Sequence, residues 1–114
     1  MTHQEFMFAL GGVTDLRSPM FDRLVKDGKI TQGELASTRE GLKDVGNTLK
    51  NTPSNKVEEL VSLYGTELTE HFRKFAEETS TNSNFLAAFH DAQVMLGFLS
   101  SIMVKAGIRE AHKA

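Results

Sequence analysis

Residues 83–106 read SNFLAAFHDAQVMLGFLSSIMVKA. An α-helix turns about 100° per residue. On that wheel Phe85, Ala88, Phe89, Ala92, Met95, Leu96, Leu99, Ile102, Met103 and Ala106 fill one broad arc. Ala87, Val94 and Phe98 widen the arc beyond half the circumference. A surface helix carries a narrower apolar stripe, whereas a helix this apolar is normally enclosed on several sides. The segment therefore predicts a central helix around which the chain packs, capped at Ser83 and stopped at Gly107. There Ile108 can fold back towards Met103 in a Schellman end. The remaining residues to Ala114 are polar and read as a loose tail.

The same segment has nearly the length of a membrane span. His90, Asp91 and Gln93 lie inside it, and a central Asp costs ~3 kcal/mol on insertion scales. A core helix is thus the better reading, and no membrane partner is expected. The N-terminal MTHQEFMFALGG lacks a basic leader and carries Glu5 within its apolar residues, so no secretory signal is read there. A cytoplasmic protein is expected.

Upstream, the punctuation is helical throughout. Residues 55–79 carry Val57, Leu60, Val61, Tyr64, Leu68, His71, Phe72 and Phe75 on one face, starting at Asn55 with Glu58 three positions on. The polar stretch TSTNSN (79–84) separates this helix from the apolar one. Each long helix is ~23 residues, or ~35 Å at 1.5 Å per residue. A connection this short makes the pair antiparallel. Asn51-Thr52-Pro53-Ser54 is a turn, because the residue before proline is pushed out of helical space. Thr31 and Glu34 form a capping box, with Ile30 and Leu35 placed as a hydrophobic staple. The helix that follows, over 32–51, has a narrow stripe of Leu35, Leu42, Val45 and Leu49, with Thr38 and Gly46 beside it. Ser18-Pro19 opens a short helix that Gly28 ends. Thr2 and Glu5 box the start of another, expected to stop at Gly11-Gly12.

No period-two alternation or hairpin dipeptide competes with these signals. The expected fold is all-α: a compact bundle of about five helices built on a long antiparallel helical hairpin (about 55–79 and 84–106). A chain of 114 residues makes this a single helical domain over 1–114, with 108–114 as the possible tail. At this size folding hides roughly two-thirds of the extended chain's surface, so no staple is required. The chain has no cysteine, which excludes disulfides and thiolate zinc sites. A net charge of −2 gives no general attraction to nucleic acid or anionic membrane.

Candidate functional residues are sparse. Ile30-Thr31-Gln32-Gly33-Glu34-Leu35-Ala36 resembles the opening of a repressor helix-turn-helix. The expected turn glycine falls one residue late, at Gly41, and no basic recognition helix follows. Residues 17–56 hold eight basic and five acidic side chains, and Arg39, Lys43 and Lys50 share one helix face. A small DNA-binding regulator using residues 31–51 is therefore an alternative reading, although phosphate contacts usually need a larger basic footprint. Asp27, Gly28, Ile30 and Glu34 match four positions of a calcium loop. The two leading ligand positions would be Arg23 and Val25, which cannot coordinate.

Glu67 and His71 share a face, and His90 and Asp91 lie near them across an antiparallel hairpin. Such a group could hold a divalent metal or do acid–base work. Hydrogen-bonded core residues explain it better, since His71 lies at the edge of an apolar face and the E-x-x-H pairs of ferritin-like bundles are missing. Asp91 is the oddest residue: it points at the apolar arc and needs a partner, with Arg73 or Lys74 nearest. Phenylalanines and methionines could also line a small-molecule pocket, although at helical spacing they are ordinary core.

One strip of the apolar helix is small and polar: Gln93, Gly97, Ser100 and Ser101, edged by Val94 and Phe98. Small residues let another helix approach. No nucleophile motif or phosphate-cradling glycine loop is present, so neither an enzyme nor a bound cofactor or metal is expected. The expected function is a protein–protein interaction or regulatory module. It would form a homodimer, or bind another protein, through that strip.

Overall fold

A computed structural model of the chain describes residues 1–80 (the Asp15 side chain aside) and 84–109. Among these residues the architecture is the expected all-α bundle, with no strand. Its α-helices are α1 (His3–Val13), α2 (Pro19–Lys26), α3 (Gln32–Lys50), α4 (Ser54–Thr79) and α5 (Phe85–Lys105), with a 3₁₀ turn at Thr14–Leu16. The expected cap at Ser83 lies outside the described residues. Asn84 is the N-cap of α5, its Oδ1 accepting from the Ala87 N–H at 3.2 Å.

Local chemistry sets most of the boundaries. Both capping boxes close: the Glu5 N–H donates to Thr2 Oγ1 at 3.1 Å, and the Glu34 N–H donates to Thr31 Oγ1 at 3.0 Å. In return Glu5 and Glu34 accept from the backbone N–H of Thr2 and Thr31, both at 2.9 Å. Pro19 occupies the first turn of α2 behind its cap Ser18. At Gly28 (φ 73°) and Gly107 (φ 74°) the backbone enters the left-handed region, which costs glycine least. The paired bonds of a Schellman end follow at each, with Lys29 N–H to Leu24 O at 2.9 Å and Ile108 N–H to Met103 O at 2.8 Å.

Two boundaries differ from expectation. Helix α1 does not stop at Gly11-Gly12 but runs through both to Val13. Leu10 and Val13 are both buried, and Thr14 closes the helix from outside, its hydroxyl donating to Leu10 O at 2.7 Å. Burial of the next turn outweighs about 1 kcal/mol of helix propensity lost per glycine. Helix α4 begins at Ser54, ahead of Asn55, with Pro53 at the cap position and no side-chain cap.

Helix α5 is the hub, packing against α4, α3 and α2. It is long and apolar enough to cross a membrane by length and composition. Here Ala88, Phe89, Ala92, Met95, Leu99, Ile102 and Met103 turn into the bundle. Helix α1 instead lies across α4 and α3, with Phe6 against Phe72 at 5.9 Å between ring centroids. The α3–α5 approach depends on Gly41. A Cβ there would sit 2.6 Å from Leu96 Cδ2, so the bare backbone makes room for that side chain.

The connection between α1 and α2 is clamped. Leu16 is buried with φ 46°, a backbone region that a branched side chain rarely occupies. Its carbonyl accepts from Arg39 Nη2 at 3.0 Å. The same guanidinium grips both oxygens of Asp22 at 3.0 and 3.2 Å. Arg39 thereby ties the strained turn and α2 to α3.

Candidate functional site

The expected partner strip on α5 divides into a covered flank and an open line. Gln93 is half-buried and its Nε2 reaches Thr38 Oγ1 of α3 at 3.5 Å. Ser100 is also half-buried. Phe98 is half-buried between α4 side chains, 4.9 Å from the His71 ring and 6.3 Å from that of Tyr64. Val94, Gly97 and Ser101 face solvent, in line with His90. Nothing lies within 4 Å of a Cβ placed on Gly97. Val94 is 58% exposed and Leu63, on α4, is 62% exposed.

A second surface was not foreseen from sequence. Phe8 is 87% exposed, the most open of the large apolar side chains. It stands at the wall of a groove of about 440 Å³ between α1 and α4, lined by Ala9, Gly12, Val13, Phe72, Phe75 and Ala76. The groove forms because Phe6 and Leu10 anchor α1, and Phe8, two residues from Phe6, must then point away. Gly12 contributes no side chain, and a Cβ there would meet nothing within 4 Å. One surface thus carries both an aromatic knob and an apolar hollow.

The polar group Glu67, His71, His90 and Asp91 is not assembled. Glu67 and His90 are exposed, and His71 packs on Phe98. Among the described residues no three His, Asp or Glu side chains gather where one metal ion could bind them. Asp91 does find the lysine anticipated for it: Lys74 Nζ lies 3.5 Å from Oδ1. Its other partner is Glu78 of α4, which sequence reasoning missed. Oδ2 of Asp91 and Oε2 of Glu78 are both buried and lack a conventional donor. A hydrogen bond with Asp91 pushes the Glu78 carboxyl up to about 7, helped by burial and by the charge of Asp91. A proton on Glu78 would give this pair the donor that two ionised carboxylates lack. The spacing of 78 and 91 carries no local signal; only the hairpin register brings the two together.

The basic face of α3 is also divided. Arg39 is committed to Asp22 and Leu16. Helix α3 is continuous through Gly41, so no turn forms where a helix-turn-helix needs one. Lys43 and Lys50 line a cavity shared with α1. Comparisons with protein-family models, with curated proteins and with solved structures find no match to this chain.

Proposed function

We propose that the protein is a non-enzymatic interaction module that associates with a second copy of itself. The observation that carries this reading is Phe8, 87% exposed beside an apolar groove of about 440 Å³. A two-fold contact places the same patch on both subunits, and a patch with both a knob and a hollow can complement itself. In such a dimer the Phe8 of each subunit enters the α1–α4 groove of the other.

Magnitudes limit the strength of this contact. Burying a Phe side chain yields about 1.5–3 kcal/mol, and symmetry doubles that. Association costs at least about 4 kcal/mol in lost freedom. Two phenylalanines alone therefore leave at most about 2 kcal/mol, and the remaining groove walls must contribute. A dissociation constant in the micromolar to millimolar range is the expectation, equivalent to about −8 to −4 kcal/mol.

A second reading keeps self-association and moves it to α5. Val94, 58% exposed, favours it, together with the open space over Gly97. Solution mass measured by light scattering across that concentration range separates the two. Phe8→Glu is expected to give monomer while Gly97→Leu leaves the dimer intact. The reverse pattern transfers the contact to α5. A wild-type chain that stays monomeric throughout removes self-association.

A further inference from the structure

The cavity between α1 and α3 measures about 130 Å³. Met7, Leu10, Thr14 and Asn47 are among the residues that line it. Three cations, Arg17, Lys43 and Lys50, line it too, and among the described side chains no carboxylate does. None of the three is in an ion pair among the described residues. Elsewhere Arg39, Lys56, Arg73, Lys74 and Arg109 each hold an acid, and the other cations in no ion pair among the described residues, Arg23, Lys26, Lys29 and Lys105, do not line this cavity. The nearest acid in sequence to Lys43, Asp44, is itself held by Arg109 at 2.8 Å. The chain carries a net charge of −2, so the gathering of three such cations around one concavity does not follow from overall basicity.

Two glycines keep the cavity open. A Cβ on Gly11 would meet nothing within 4 Å, so a larger side chain there would enter free space. A Cβ on Gly46 would touch Thr14 Oγ1 at 3.6 Å, an ordinary contact. Neither glycine has the positive φ that would require it, and each costs its helix about 1 kcal/mol relative to alanine. What they provide is space beside the positive charges.

We infer that this cavity binds a phosphate-type oxyanion, either as the free ion or as the head of a small phosphorylated molecule. The Arg17 guanidinium can offer a planar fork to two oxygens, and the lysines supply compact positive charge. The Asn47 amide can add a neutral donor. Thr14 already donates its hydroxyl hydrogen to Leu10 O, so it shapes the wall and gives no further donor.

The test is NMR titration of the full chain at low ionic strength with inorganic phosphate, with glycerol 3-phosphate, and with chloride at matched ionic strength. Both phosphates are expected to give saturable shifts at the amides of Gly11, Gly46 and Asn47, and chloride none. Tighter binding of glycerol 3-phosphate would identify the phosphorylated molecule as the ligand; equal or weaker binding would leave the free ion. Because Arg17, Lys43 and Lys50 are exposed, the combined change Arg17→Gln, Lys43→Gln and Lys50→Gln is expected to keep the fold and weaken phosphate at least tenfold. Gly11→Leu should do the same with every charge in place, and Lys43→Gln alone serves if either variant fails to fold. Shifts that chloride reproduces, that spread over every lysine, or that survive these substitutions overturn the inference.

Discussion

Glu78 and Asp91 meet where α4 and α5 pack, and their pairing makes stability depend on pH with a definite sign. In the folded chain Glu78 keeps its proton to about pH 7, against an ordinary 4.5. The stabilisation from this group is complete below about 4.5 and is lost as pH rises through about 7. Asp22 acts in the opposite sense. The hydrogen bond from Arg39 holds it below its ordinary 3.8, so its contribution is present above that value and fades as pH falls further. Glu5, Glu34 and Glu70 are lowered as well. Denaturation followed across pH is therefore expected to show greatest stability in mildly acidic solution. In Glu78→Gln the amide donates to Asp91 without titrating, and the decline between pH 5 and 8 should flatten. A decline that persists unchanged in Glu78→Gln would assign it to another group.

At the scale of elements, Gly41 sets how closely α3 and α5 approach. The atom that an added Cβ would meet is a methyl of Leu96. Gly41→Ala can be absorbed by rotating that side chain, whereas the branched Gly41→Val cannot. The valine variant is expected to lose about 1–3 kcal/mol, the usual penalty of overpacking, measured by denaturant titration. The elements themselves were largely legible in the sequence, and the reason is locality. Capping boxes, Pro19 and the left-handed glycines act within four or five residues, so a linear reading finds them. Gly11-Gly12 misled for the converse reason: the end of α1 is decided by the burial of Val13 and by the Thr14 cap. The surfaces were less legible. That Phe6 goes in and Phe8 stays out depends on how α1 docks on α4, a long-range fact. Val94, read both as widening the apolar arc and as edging the partner strip, faces solvent, since among the described residues no helix covers that side. Arg17 reaches its cavity from the exit of a strained 3₁₀ turn, a position that no periodicity marks.

The whole molecule spans 43 × 35 × 19 Å. Its shortest dimension is about two helix diameters of 10 Å, so the bundle is a slab and most helices keep one open side. Helix α5, packed by α2, α3 and α4, is the most enclosed, its open side reduced to the line of His90, Val94, Gly97 and Ser101. This thinness has a consequence for how the molecule opens. Where little protein lies overhead, a helix can swing off without dismantling its neighbours, and such partial openings need far less free energy than global unfolding. Deuterium uptake should therefore be graded. Amides of α1 and α2 should exchange first, and those from Phe89 to Ile102 should be the last to take up label, at the rate set by complete unfolding. Uniform uptake along all the helices would mean instead that the slab melts as a unit.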